Sequence, residues 1–229
     1  MRDGGSTVTA GAADRLRRAL LSEDASARLQ AALAAGTRPQ GDYVEVLVAR
    51  SAVEPDFFVR EMLTWALVRH PPSLTVPRLI AELGAVGGPA DAVGERSLAR
   101  SQSLHTLSKI GDPSAWPAIT SDLLHDGDDE VARAAWRAAV VLVPEGGEPQ
   151  LAAELVRELA REGHGDEVQR SLARALAALG EAARAPLEEA RESSRGETRV
   201  LAATVLRLLD DPDEAFESAL FEARRSGER

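Results

Sequence analysis

Along residues 111–142, GDPSAWPAITSDLLHDGDDEVARAAWRAAVVL, apolar positions recur at helical spacing in two runs split by an acidic turn. In the second run Val131 is followed by apolar or small residues at Ala135, Ala138, Ala139 and Leu142, the stripe of a helix with one buried face. With Val131 as anchor, the pattern returns at Ala27, Val59, Ala99, Val168 and Thr198; the anchors are separated by 32, 40, 32, 37 and 30 residues. Arginine follows directly at Arg28, Arg60, Arg100 and Arg199, and slips one position to Arg133 and Arg170. Proline lies 18 residues after four anchors, as Pro77, Pro117, Pro149 and Pro186. Proline lacks the N–H that a helix interior must donate and the first turn need not. Each is therefore expected to open the first helix of the next unit.

A period of about 30–45 residues with two helices per unit predicts an all-α chain: a right-handed α-solenoid of about six helix pairs. One pair cannot bury its own stripe, so neighbouring pairs must stack into a continuous core. The expected pairs are 12–21 with 25–35, 42–51 with 57–69, 74–83 with 95–110, 115–124 with 128–142, 148–160 with 166–179, and 182–192 with 197–209. Gly36 is expected to stop the second helix, and the amphipathic stretch 213–225 to cap the array. A single domain over 12–225 is expected, preceded by a disordered tail, 1–11. The Gly/Pro-rich stretch 84–94, GAVGGPADAVG, reads as a flexible insertion and accounts for the 40-residue spacing.

The wording GDPSAWPAI…DDEVARAAWRAA, with its Gly-Asp-Pro, proline and acidic-Val-x-Arg elements, resembles HEAT repeats, in the variant also found in phycocyanobilin-lyase-type proteins. The resemblance covers roughly residues 12–225. It implies the fold, and a function among scaffolds, adaptors and a few enzymes of the bilin-lyase-like or DNA-glycosylase-like kind.

Composition narrows these classes. The formal net charge of −10 disfavours general nucleic-acid or anionic-membrane binding. There is no cysteine, which removes disulfides, thiolate metal sites and cysteine nucleophiles and fits a cytoplasmic chain. Residues 1–11 lack the apolar run of a signal peptide, and no stretch is long enough to span a membrane. The acidic run 126–130 fails the calcium-loop spacing: counting from Asp126, Val131 and Arg137 stand where Gly and an acid are needed. Helix capping explains it. His70, His105, His125 and His164 form no H-x-x-x-H pair. No phosphate-loop or G-x-S-x-G motif appears. No catalytic residue, metal or cofactor is expected.

The candidates that remain lie on one helix face. Trp116 and Trp136 read as packed. Trp65 stands six residues after Val59, where the helix has turned about 240° from its stripe. In such an array the second helices line the concave side, so Trp65 is a binding candidate there, set against folding down over a neighbouring helix. Read at two and six residues past each anchor, the same face carries Glu61 with Trp65, Ser101 with His105, Arg133 with Arg137, and Arg170 with Arg174. Helix axes pack about 8–10 Å apart, within about one Debye length, so the four arginines are expected to form a patch for an acidic or extended segment of another protein. The competing expectation is that nearby glutamates already neutralise them.

Overall fold

A computed structural model describes residues 6–84, 93–161, 163–194 and 196–227. Its elements are α-helices and short 3-10 turns, with no strand among the described residues. The chain divides into two compact units, Met1–Ala118 and Ile119–Arg229. No helix among the described residues is long and apolar enough to cross a membrane.

The first unit contains α1 (Ser6–Leu20), α2 (Ala25–Thr37), α3 (Tyr43–Ser51), α4 (Phe57–Val68), α5 (Pro72–Leu83) and α6 (Val93–Ile110), then a 3-10 turn, Pro113–Ala118. Each helix packs on its sequence partner: α1 on α2, α3 on α4, α5 on α6. First helices also meet first helices, α1 with α3 and α3 with α5, and second meet second, α2 with α4 and α4 with α6. This neighbour-to-neighbour packing is consistent with a repeat array. Val59, Leu63, Ala66 and Leu67 of α4 are all fully buried, as the stripe requires. Each large one contributes about 1.5–3 kcal/mol relative to exposure.

The second unit contains α7 (Ser121–Leu124), α8 (Asp129–Leu142), α9 (Glu148–Glu158), α10 (Asp166–Ala178), a 3-10 turn at Gly180–Ala183, α11 (Arg184–Ser193), α12 (Gly196–Asp210) and α13 (Phe216–Gly227). Again neighbours pair: α7 with α8, α9 with α10, α11 with α12; α8, α10 and α12 meet in succession, and α13 packs on α12. Val131, Ala135, Ala138, Ala139 and Leu142 are all buried, as is Trp136, whose indole N–H donates to the Leu124 carbonyl at 2.8 Å. The acidic run does cap α8: Asp128 accepts from the Glu130 N–H at 2.9 Å, and Asp126 from the Asp128 N–H at 2.9 Å.

Four local expectations differ from the structure. Residues 115–124 do not form one α-helix. Pro117 cannot donate the bond that an α-turn needs there, and the segment becomes the 3-10 turn followed by short α7. Pro149 and Pro186 lie in the first turns of α9 and α11, but Pro77 lies inside α5, which begins five residues earlier on Pro72. Gly36 does not stop α2, which runs through it to Thr37. Helix α1 begins at Ser6, inside the stretch expected to be a disordered tail; residues 1–5 of that tail, and 85–92 of the expected insertion, lie outside the described residues.

The recurring arginine has a structural reason. Arg28 Nη1 donates to the Ser22 and Glu23 carbonyls, both at 2.9 Å; Arg60 Nη1 donates to the Glu54 and Pro55 carbonyls at 2.9 and 2.8 Å. In both copies the side chain reaches back six and five residues to satisfy turn carbonyls. Arg28 also clasps Glu54, which is 0% exposed, through Nε (2.9 Å) and Nη2 (2.8 Å). Arg50 Nε at 2.8 Å and the Asp56 N–H at 3.0 Å complete the shell. Burial alone would raise the Glu54 carboxyl's pKa, but Arg28, the Asp56 amide and Arg50 together hold it below the ordinary carboxylate value.

Candidate functional site

The slipped arginines of the second unit do something different. One position further round the helix, they meet carboxylates instead of turn carbonyls among the described residues. Both helices start with acids in the first turn, Asp129 and Glu130 on α8, Asp166 and Glu167 on α10, which suits the positive helix end. Arg133, its side chain 14% exposed, spans the two: Nη1 donates to Glu130 at 2.8 Å and Nη2 to Glu167 at 2.9 Å. Arg170 faces Glu217 of α13 at 3.1 Å, with its guanidinium 5.9 Å from the centre of the Phe216 ring. One turn further on, Arg137 and Arg174 are exposed. Neither has an ion-pair partner among the described residues. Desolvation, and then the charge of Arg133, lower the pKa of Arg137 from arginine's ordinary value, with Glu130 opposing. Glutamates thus balance two of the four cations and leave two facing outward.

In the first unit, Trp65 both packs and shows. It is 39% exposed. Yet its ring lies so close over α2 that a Cβ built on Gly36 would stand 2.4 Å from Trp65 Cζ3 and 2.8 Å from Ala66 Cα. The glycine makes the notch that lets α2 and α4 approach. Arg69 lies 5.8 Å from the ring centre. Glu61 is exposed and sits 3.3 Å from His105 Nε2, so these two candidates do meet.

One cluster escapes a reading of the repeat. His125, at the end of α7, and His164, ahead of α10, converge on Glu158 at the end of α9. Glu158 is nearly fully buried; it accepts from His125 Nδ1, and His164 Nε2 lies 3.1 Å from it. His125 Nε2 meets Glu154 at 2.9 Å, and the Ser121 hydroxyl donates to the same carboxylate. Arg157 and Arg161 flank the pair at 2.8 and 3.5 Å. Burial would lower the His125 pKa, but Glu158 and Glu154 raise it above histidine's ordinary value. The Glu154 carboxyl is lowered, first by the Ser121 hydroxyl and then by His125. Glu158 continues the buried row of α9 after Leu151 and Leu155, whereas His125 and His164 lie just outside the helices, where no periodic spacing marks them. The only sequence signal is that each precedes an anchor. Among the described residues no group of His, Cys, Asp or Glu has the arrangement to hold a metal ion. A cleft of about 210 Å³ opens beside His164, Glu158 and Gln169.

No protein-family model matches the chain, and a search among curated proteins finds no match. The class that the fold defines is therefore the coarse one: an all-helical protein whose helices pack in sequential pairs.

Proposed function

We propose that the chain is a right-handed α-solenoid of HEAT-like helix pairs, capped by α13, that acts as a non-enzymatic adaptor. It holds an acidic segment of another protein on the exposed face of its second helices. The observation that carries this reading is the pair Arg137 and Arg174: cations on the packed helices α8 and α10 that have no acid partner among the described residues. Like charges on adjacent helices repel, and a partner's carboxylates relieve that repulsion. Arginine's planar fork suits them. Trp65 and Glu61 with His105 form a second candidate surface on the first unit. A nucleic-acid role has less support, since the net charge is −10 and Glu61 is engaged by His105.

The test is partner recruitment from the native cell by wild type and by an R137Q/R174Q double variant. Circular dichroism should show both folded. The expected result is loss of recruitment in the double variant, and release from wild type as salt rises. Undiminished recruitment by a folded double variant decides against the reading.

A further inference from the structure

The wall of α10 that carries Arg170 and Arg174 borders an open cleft of about 530 Å³, whose other side is the end of α12 and the start of α13. Its floor is apolar, with Ala177, Leu208 and Phe216. Two acids line it, and both are engaged. Glu217 faces Arg170 at 3.1 Å, and Glu214 accepts from Arg207 at 3.0 Å and from the Ser218 hydroxyl at 3.0 Å. That leaves Arg174 as the lining cation with no acid opposite it among the described residues.

The chemistry of an occupant follows from this arrangement. A run of phosphates would bring dense negative charge against Glu214 and Glu217 and leave the floor unused. A purely apolar group would bury Arg174 without a counter-charge, which is costly. What fits is an isolated carboxylate beside an apolar side chain. The cleft is open rather than enclosed, whereas small-molecule sites bury most of their ligand. The cationic positions also continue outside it, to Arg137 on α8. Extended chain advances about 3.3 Å per residue. Three residues therefore span about the 8–10 Å between neighbouring helix axes, so a chain leaving the cleft can place a second carboxylate toward Arg137.

We propose that the cleft between α10 and the α12–α13 corner takes a short extended segment of a partner protein, one carboxylate on Arg174 and an adjacent apolar side chain on the floor by Leu208 and Phe216. This rests on the adaptor reading above and narrows it from an acidic partner to an acidic–apolar motif.

The experiment is selection of random twelve-residue displayed peptides on the full-length protein. Selected peptides are then measured by fluorescence anisotropy against wild type, R174Q and A177Q, each checked for fold by circular dichroism. Ala177 is half-buried on the cleft floor, so glutamine there makes the floor polar with little cost to the fold. The expected outcome is enrichment of Asp or Glu next to large apolar residues, with binding at least tenfold weaker to R174Q and to A177Q. Peptides enriched in acids alone and indifferent to A177Q overturn the motif while leaving the arginine face standing. Binding indifferent to R174Q, or displacement of the peptides by dodecanoate at comparable concentration, overturns the peptide cleft. Absence of any acidic enrichment overturns both readings.

Discussion

The contact between Gly36 and Trp65 makes a quantitative demand. Replacing Gly36 by alanine puts a methyl 2.4 Å from Trp65 Cζ3, 2.7 Å from Cε3 and 2.8 Å from Ala66 Cα. The indole can swing, but Ala66 Cα is backbone in the last turn of α4, so α2 and α4 must separate. Overpacking of this kind costs about 1–3 kcal/mol. Alanine is also the better helix former by about 1 kcal/mol, and Gly36 is helical, which offsets part of the cost. The net loss expected is at most about 2 kcal/mol, a fall of up to roughly 8 °C in Tm. The control is a double-mutant cycle with Trp65→Ala. Removing the ring relieves two of the three clashes, so G36A should cost less in the W65A background, with a coupling of at least about 0.5 kcal/mol. Thermal unfolding followed by far-ultraviolet circular dichroism measures all four proteins. A G36A protein more stable than wild type, or additive effects in the cycle, would falsify the notch.

Glu54→Gln should destabilise the first unit more than G36A does, because Arg28 would remain buried without its counter-charge; chemical denaturation of both variants ranks them. Its stabilising effect is present above the ordinary carboxylate pKa and fades as pH falls through the lowered folded value. His125 runs the other way. Its folded pKa is raised, so its contribution is complete below about pH 6.5 and is lost as pH rises through the folded value. The Tm of wild type should therefore fall relative to H125Q between mildly acidic and alkaline pH; parallel curves would show that the cluster does not hold its proton. Val131→Asp places an unpaired charge in a site 1% exposed, and its Tm should collapse or the protein fail to fold; a small shift would mean that Val131 is not packed.

The helices of both units were legible because their stripes are long and periodic. Val59, Val131 and Val168 are buried where the 3.6-residue pattern puts them. The pattern is less informative at Ala27, which is exposed while the neighbouring Arg28 is buried. An arginine that satisfies two carbonyls and a buried carboxylate can occupy a core position that hydrophobicity assigns to its neighbour. Helix starts failed where two prolines compete: Pro72 already opens α5, which leaves Pro77 inside it. The arginine face could be phased from sequence, but its charge balance could not. Glu167 is one turn ahead of Arg170 on α10, yet it pairs with Arg133 on α8, and Glu217 belongs to a helix 47 residues further on than Arg170. The His125–Glu158–His164 cluster was invisible for a related reason: it forms where helix ends meet, and end-to-end proximity depends on turn geometry rather than period.

The arginines that reach back from α2 and α4 act as a gauge of turn length. Arg28 and Arg60 each span the same six and five residues, so the turn inside a helix pair is measured by a side chain of fixed reach. A residue inserted between Ser22 and Arg28, or between Glu54 and Arg60, moves the carbonyls out of register and strands the guanidinium. A residue inserted between pairs, in the link between α2 and α3, disturbs no such span. In the first two pairs, drift in length, whether by evolution or by grafting into new arrays, is thereby steered to the joint between them, and each of the two travels as a unit of fixed size.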